Sequence, residues 1–181
     1  INFIEQLILI ILVYLLISLL ISLPFYLSNY QVTFINSLFE AISGITGTGF
    51  SIFKNIKYLD PTLILWRSSS QWIGGLYFLI FLILFFSNSQ FSFKMNNLVF
   101  TSDKSLNPEG NIEKISLKIF FLYSILSLII FILLSMSGIR LFNSLNLSMT
   151  LISSGGFLPT NSLNNIIKTN FQEFVLIISF F

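Results

Sequence analysis

Two short tracts that combine glycine with hydroxyl side chains are the parts of this sequence whose residue types could do chemistry. They are Thr46-Gly47-Thr48-Gly49-Phe50 and Ser153-Ser154-Gly155-Gly156-Phe157. Glycine allows backbone conformations that other residues avoid, so successive carbonyl oxygens can turn toward one axis. Rings of such carbonyls can replace the hydration shell of a potassium ion, and Thr and Ser hydroxyls add further oxygen ligands. The tracts therefore predict a monovalent-cation site built mainly from backbone oxygens.

The two tracts occupy equivalent places in an internal repeat of 107 residues. With that shift, Asn36-Ser37-Leu38 falls on Asn143-Ser144-Leu145, and Gly49-Phe50 falls on Gly156-Phe157. Two complete predicted spans separate equivalent points, so both copies would run the same way through a membrane, as in one class of transport-protein repeats. Ordinary turns between the helices of a hairpin are the alternative, but two matched tracts in register favour pore loops.

Composition sets the environment in which the tracts must work. The 181 residues are 55% hydrophobic and only 9% charged, with a mean hydropathy of +0.90. Soluble domains carry about 25% charged residues, so this chain predicts an integral membrane protein. A net charge of +2 indicates no nucleic-acid partner. The sequence has no Cys and no His, which excludes disulfides, Cys/His metal sites and His-based acid–base chemistry.

The elements that must position the tracts are helices of two lengths. Full spans are predicted at Leu7–Leu23, which Pro24 closes, at Pro61–Phe86 and at Ile119–Gly138, and a fourth, truncated span starts near Phe174. A cleaved signal peptide is the alternative for the first span, but an acidic Glu5 and no basic cluster precedes it. Because the chain starts at Ile1 and its last apolar run is short, we expect an internal fragment of a longer protein.

A short apolar stretch precedes each tract, at Ile35–Ile45 and Asn143–Ile152. Each stretch is too short to cross a bilayer, which takes about 20 residues, so both are predicted to be re-entrant helices. A helix that ends inside the membrane directs the negative end of its dipole there, and this end attracts cations. The sequence thus divides into a first helix–pore-loop–helix copy at residues 1–86, a connector at 87–112, and a second copy at 113–181 that is truncated in its last helix.

The connector predicts the orientation. Residues 87–118 hold Lys94, Lys104, Lys114 and Lys118, whereas the other two polar segments hold two basic residues each. The excess of basic residues weakly favours a cytoplasmic connector. Within it, Asn107-Pro108-Glu109-Gly110 predicts a turn.

Three segments resemble a known family. Leu38–Gly44 leading into the first tract resembles the first pore loop of TrkH/KtrB-type potassium uptake subunits of the Trk/Ktr/HKT superfamily. Trp66-Arg67-Ser68 with Gln71–Gly75 resembles the signature of the helix that follows, and Ile152–Phe157 is similar to the second pore loop, usually written S-T-G-G-F. The chain departs from the family pattern at three positions: Gly47 and Ser154 stand where Thr is usual, and Tyr77 where a third glycine is common.

The resemblance implies an all-α membrane protein of potassium-channel-like architecture. Four parallel repeats of helix, re-entrant pore loop and helix would surround one pore per subunit, and this chain would supply the first two. The ten tract residues would line the path of the transported potassium ion, and no covalently bound cofactor is implied. The resemblance also implies a multi-pass protein of the bacterial inner membrane, in contact with lipid. It would form a homodimer and bind a cytoplasmic nucleotide-binding regulatory subunit of the TrkA/KtrA type.

Several single residues allow two interpretations. Arg67 could touch the ion path, or it could be structural, either by reaching outward or by pairing with groups such as Glu40. Glu40 could attract cations at the pore mouth or be a buried partner of Arg67. Gly74-Gly75 could be a hinge, but close helix packing is favoured. Trp66 and Trp72 are predicted to be interface anchors or packing residues.

Three functions compete. An intramembrane enzyme would need convergent acids, His, Cys or a Ser–Lys pair, and Arg67 is the only charge clearly inside a predicted span. The sequence therefore predicts no enzyme. A non-conducting assembly subunit would not need glycines at matched positions after two short helices. Uptake of potassium through a carbonyl-lined pore is the favoured function, and a sodium-coupled or less selective cation transporter of the same superfamily is the alternative.

Overall fold

Six α-helices account for most of the residues that the structure describes. The computed structural model describes residues 3–87 and 108–180, and every regular element in these two ranges is helical. The helices are α1 (Phe3–Tyr26), α2 (Phe34–Ile45), α3 (Pro61–Ser87), α4 (Pro108–Met136), α5 (Leu141–Ile152) and α6 (Asn170–Phe180). Single 3-10 turns lie at Ile56–Tyr58 and Leu163–Asn165. The all-α class predicted from the sequence is confirmed.

Two of the long helices have the length and composition of membrane spans. They are Leu7–Tyr26 in α1, with 20 residues, and Lys114–Met136 in α4, with 23 residues. Most of their Leu, Ile and Phe side chains point outward and are exposed, as expected where hydrocarbon rather than water surrounds a helix. The third long helix, α3, has 27 residues, but Arg67, three serines and Gln71 make the first half polar. Its apolar residues are concentrated in the second half.

Several helix bounds differ from the predicted ones. Helix α1 continues past Pro24, and the N–H of Leu27 still donates to the Leu23 carbonyl (2.9 Å). Proline near a helix end removes only one hydrogen bond, so the helix does not stop there. Helix α4 begins at Pro108, so the predicted turn is wrong for residues 108–110, because proline fits the first turn of a helix. Helix α6 begins at Asn170, four residues before the predicted start.

The repeat predicted from the sequence reappears in the bounds of the elements. Helices α2 and α5 each have 12 residues and are offset by 107. The two 3-10 turns are offset by the same number. Each copy therefore has a short helix, a tract, a loop and a 3-10 turn at equivalent positions.

Helix α3, the last helix of the first copy, lies between the two short helices. It packs against α2 on one side and against α5 on the other. One apolar cluster joins α1, α2 and α3: Ile21, Phe25, Ala41, Ile45 and Leu63. A second cluster joins α4, α5 and the loop that follows: Leu134, Ile139, Leu147 and Ile166. The polar half of α3 lies between these clusters, where it contacts the second tract and the residues that flank the first.

Aromatic residues of α3 hold the neighbouring helices. The indole N–H of Trp66 donates to the Ile21 carbonyl of α1 (3.1 Å), and the Trp72 ring lies 5.2 Å from the Tyr123 ring of α4. The packing interpretation of both tryptophans is thus confirmed. The Tyr77 hydroxyl donates to the Ile10 carbonyl (3.0 Å), which ties α3 to α1.

Candidate functional site

The first tract leaves α2 through a tight, hydrogen-bonded turn. The N–H of Gly47 donates to the Gly44 carbonyl (3.0 Å), and the N–H of Thr48 donates to the Ser43 carbonyl (3.2 Å). The Thr46 hydroxyl donates to the carbonyl four residues earlier (2.7 Å). These bonds use the last carbonyls of the helix, which would otherwise lack partners.

The second tract leaves α5 through the same set of bonds. The N–H of Ser154 donates to the Leu151 carbonyl (2.9 Å), and the N–H of Gly155 donates to the Thr150 carbonyl (2.8 Å). The Ser153 hydroxyl donates to the carbonyl four residues earlier (2.9 Å). All three bonds are related to those of the first tract by the 107-residue offset. The sequence match is therefore a match of backbone structure.

The second residue of each tract has a left-handed backbone. Gly47 has φ = +67°, and Ser154, its equivalent, has φ = +52°. A residue with a Cβ pays about 1–2 kcal/mol for this conformation. Ser154 therefore carries strain that Gly47 avoids.

The tracts diverge at their fourth and fifth residues. Gly49 has φ = +74°, whereas Gly156 is not in the left-handed region. The Phe50 side chain is 69% exposed, whereas that of Phe157 is 1% exposed. The difference arises because Phe157 packs beneath Arg67 of α3.

The divergence occurs where the tracts meet. A Cβ on Gly49 would lie 2.6 Å from the Gly156 Cα atom, and a Cβ on Gly156 would lie 3.1 Å from the Gly49 Cα atom. Real Cβ contacts at such distances are rare, so neither position has room for a side chain unless its neighbour moves. The two tracts therefore meet backbone to backbone at these two glycines.

Most tract carbonyls have no hydrogen-bond donor. Across the two ranges that the structure describes, no hydrogen bond is accepted by the carbonyl oxygens of residues 46–49 or 153–156. The Phe50 carbonyl differs, since it accepts the Ser43 hydroxyl (2.6 Å). The residues that carry these carbonyls are half-buried or exposed, so eight free oxygens in two adjacent tracts form an accessible surface that can coordinate a cation.

A buried ion pair lies behind the first tract. Arg67 Nε lies 2.8 Å from Glu40 Oε1, and these side chains are 1% and 0% exposed. Glu40 also accepts the Ser51 hydroxyl (2.9 Å) and the Ile52 N–H (2.8 Å), which closes the loop after the tract. The structural interpretation of Arg67 and the buried-partner interpretation of Glu40 are thus confirmed.

Arg67 also reaches the second copy. Its Cζ atom lies 4.2 Å from the centre of the Phe157 ring, and Nη1 makes a long contact of 3.5 Å to the Leu158 carbonyl. Its Nη2 donates to the Ser51 hydroxyl (3.0 Å). One guanidinium therefore contacts the residues that follow both tracts.

Gln71 is a site residue whose role the sequence analysis missed. Its side chain is fully buried, and Oε1 accepts the Phe157 N–H (3.2 Å). A Cβ on Gly155 would clash with its amide, so the amide lies directly against the second tract. The signal was present in the sequence: Gln71 follows Arg67 by four residues, which places both on one face of α3.

Glycines of α3 bring the helix against the tracts. A Cβ on Gly74 would clash with the Ile45 carbonyl, and one on Gly75 would lie 2.9 Å from the Ser153 Cβ. The packing interpretation of both glycines is confirmed. Ile45 precedes the first tract and Ser153 begins the second, so this packing supports the candidate site directly.

The loops beyond the tracts are joined as well. Asn161 Oδ1 accepts the Ile56 N–H (2.7 Å), and Asn161 Nδ2 donates to Asn55 Oδ1 (3.3 Å). Residues of the two copies thus also meet in the loops that follow the tracts.

The sequence model of the TrkH family, described as a cation transport protein, matches residues 3–181. The chain belongs to this family. Its fold is shared with the crystal structure of the potassium transporter TrkH from Vibrio parahaemolyticus, with a TM-score of 0.77 and 18% identity. The superposition covers 98% of this chain and 35% of that one.

Three family relatives show similar sequences. An uncharacterised cation transporter of Methanocaldococcus jannaschii, MJ1485, is 33% identical over 145 residues, which are 77% of this chain and 29% of the relative. The Trk system potassium uptake protein TrkI of Halomonas elongata is 30% identical, covering 75% and 28% of the two chains. TrkG of Escherichia coli is 26% identical, covering 83% and 32%. This chain spans about a third of the length of these relatives.

Proposed function

We propose that this chain supplies part of a cation filter, and that the protein takes up potassium across a membrane through a pore lined by backbone carbonyls. The observation that carries the proposal is the pairing of two tracts with the same hydrogen bonds, eight free carbonyls and a backbone-to-backbone contact at Gly49 and Gly156. A filter must offer several oxygens to one dehydrated ion, and two adjacent tracts of free carbonyls meet that need.

The ion ligands in this proposal are the ten tract residues. Carbonyls contribute most of the oxygens, while the Thr46 and Thr48 hydroxyls, 3.2 Å apart, are further candidates. A hydroxyl that donates its hydrogen keeps its lone pairs, so the Thr46 bond to its own helix does not prevent it from facing an ion. The ends of α2 and α5 add the negative end of each helix dipole.

Potassium is the favoured ion because two of the three relatives are named as potassium uptake proteins. The less selective or sodium-coupled alternative has one observation in its favour. At the position where the family usually has Thr, the first tract has Gly47 and the second has Ser154. Gly47 has no hydroxyl that could contact an ion. Membership of a transporter family supports the proposal that this protein transports ions and does not catalyse a reaction.

The proposal includes an arrangement in the membrane. Residues 1–86 and 113–181 would be two parallel copies, joined on the cytoplasmic side by residues 87–112, most of which lie outside the described ranges. The loops at 51–60 and 158–170 would face the exterior, in a multi-pass protein of the bacterial inner membrane. The full-length subunit would form a homodimer and bind a cytoplasmic nucleotide-binding regulatory subunit of the TrkA/KtrA type.

The test uses the full-length protein that contains this chain, purified and reconstituted in lipid vesicles. Potassium and sodium uptake are measured separately under the same membrane potential, with empty vesicles as the control. We expect potassium uptake well above both sodium uptake and the control. Equal uptake of the two ions would favour the less selective alternative. Uptake no faster than in empty vesicles would contradict the proposal and favour an assembly subunit.

A further inference from the structure

The loop that follows the tract is held by charged and polar side chains in the first copy and by apolar side chains in the second. The seventh residue of α2 is Glu40 and the seventh residue of α5 is Leu147, and their side chains are 0% and 1% exposed. One buried position of the repeat thus holds a charge in the first copy and a leucine in the second.

The partners of this position differ in the same way. Glu40 accepts the Ser51 hydroxyl and the Ile52 N–H, whereas the equivalents of these two residues are Leu158 and Pro159. Proline has no N–H that a carboxylate could accept. Leu158 packs on the apolar cluster that contains Leu147. The second copy therefore forms its short helix and tract without any charged group at this place.

A charged residue is consequently not required to close this loop. A buried ion pair is costly to desolvate, and an apolar pair of similar volume is often as stable or more stable. What the charged version adds is Arg67, whose contacts extend from Glu40 and Ser51 in the first copy to Phe157 and Leu158 in the second.

We propose that Arg67 is a positioning residue that sets the spacing between the two tracts, and so sharpens their discrimination among monovalent cations. This inference rests on the proposed function. Glu40, in the first copy, holds the guanidinium of Arg67 in place. The guanidinium in turn holds the second copy through its planar fork of N–H donors and its stacking on the Phe157 ring. Lysine would keep the charge but could supply neither the fork nor the stacking. The spacing matters because it sets how many carbonyl oxygens reach one ion and how closely they surround it.

The experiment separates folding from selectivity in the full-length protein reconstituted in vesicles. Glu40→Leu alone leaves a buried guanidinium without its partner, and we expect little folded protein. The triple variant Glu40→Leu/Ser51→Leu/Arg67→Leu reproduces the apolar chemistry of the second copy. We expect its yield to return to near the wild-type level. We expect its ratio of potassium to sodium uptake to fall by about tenfold, the change produced by ~1.4 kcal/mol.

Arg67→Lys gives a second, milder test. We expect a normal yield of folded protein and a ratio of potassium to sodium uptake between those of the wild type and the triple variant. Ser68→Ala is the matched control, because Ser68 is a buried neighbour whose hydroxyl donates only within its own helix, to the Ile64 carbonyl. We expect it to change neither yield nor ratio. If Arg67 has a purely structural role, the triple variant recovers both yield and ratio, and Arg67→Lys keeps the wild-type ratio.

These outcomes also separate the inference from the proposed function. A wild-type protein without selective uptake would overturn the proposed function itself. Selective uptake that Gly49→Ser lowers but both Arg67 variants leave unchanged would overturn only the role of Arg67. If the triple variant gives no folded protein, the ratio measured for Arg67→Lys decides between the two roles.

Discussion

Gly49 and Gly156 contact each other through their backbones, since a Cβ on the first would lie 2.6 Å from the Cα of the second. These residues are 107 positions apart and occupy the same place in the repeat. They are not equivalent in conformation, because only Gly49 has a positive φ. Gly49 is therefore constrained twice, by its φ and by the contact, whereas Gly156 is constrained by the contact alone. A Ser at Gly49 should consequently be more disruptive than a Ser at Gly156.

Replacing Asn161 with Ala should loosen the contact between the loops of the two copies. The buried Ile56 N–H would lose its acceptor, and we expect a loss of about 1–2 kcal/mol in the free energy of unfolding. Thermal unfolding of the full-length protein in detergent measures this. Asn161→Asp keeps the accepting oxygen and should retain much of the stability.

Asn164→Ala is the matched control for Asn161. Asn164 is exposed in the same loop, and within the described residues its side chain makes no hydrogen bond. We expect no change beyond about 0.5 kcal/mol. Equal losses in Asn161→Ala and Asn164→Ala would show that the bond to Ile56 contributes nothing.

Replacing Ser154 with Gly should stabilise the protein. Relief of left-handed strain is worth about 1–2 kcal/mol and exceeds the backbone entropy cost of glycine, about 0.5–1 kcal/mol. The adjacent Ser153 has φ = −86°, so Ser153→Gly incurs the entropy cost without relieving strain and should destabilise. Melting temperatures of the two variants should therefore move in opposite directions. A lower melting temperature for Ser154→Gly would mean that its hydroxyl makes a contribution larger than the strain.

The orientation in the membrane can be tested by cysteine labelling, because the chain has no cysteine of its own. In whole cells, an impermeant maleimide should label Lys54→Cys, an exposed position in the loop after the first tract. It should leave Lys104→Cys unlabelled until the cells are opened. External labelling of Lys104→Cys, with none at Lys54→Cys, would reverse the proposed orientation.

The general architecture could be predicted from the sequence because it depends on local patterns. Apolar runs of span length gave α1 and the apolar part of α4, and the 107-residue repeat gave α2, α5 and the matched tracts. The Arg67–Glu40 pair could be named because a charge inside an apolar helix needs a partner. Helix ends were less well predicted, since Pro24 and Pro108 each fit a helix terminus as well as a turn.

Other features of the site depend on the packing between copies, which a linear pattern does not contain. Phe50 and Phe157 are the same residue type at the same place in the repeat, yet only Phe157 is buried. Burial of Phe157 depends on α3, a helix of the first copy that packs against the second. The same holds for Gln71, whose contact to the Phe157 N–H joins residues 86 positions apart.

Two glycines outside the tracts, Gly74 and Gly138, could serve as controls for a substitution at Gly49. Gly74 was predicted to be a packing glycine, but a side chain there would clash with the Ile45 carbonyl, next to the first tract. Gly138 is a better control, because its φ of +89° resembles that of Gly49 while the Cβ position is open. It lies in the turn before α5, away from both tracts.

The most direct test of the cation filter is the ratio of potassium to sodium uptake in full-length protein carrying Gly49→Ser, compared with Gly138→Ala. Both substitutions place a Cβ in a left-handed backbone, which alone costs about 1–2 kcal/mol of stability, and Gly49→Ser adds a close contact with Gly156. Only Gly49→Ser alters the row of carbonyls, so we expect it to lower the uptake ratio while Gly138→Ala keeps the wild-type ratio. Gly156→Ser should lower the ratio to a smaller extent. If Gly49→Ser and Gly138→Ala both reduce the amount of folded protein and leave the ratio unchanged, the tracts are ordinary turns and not a filter.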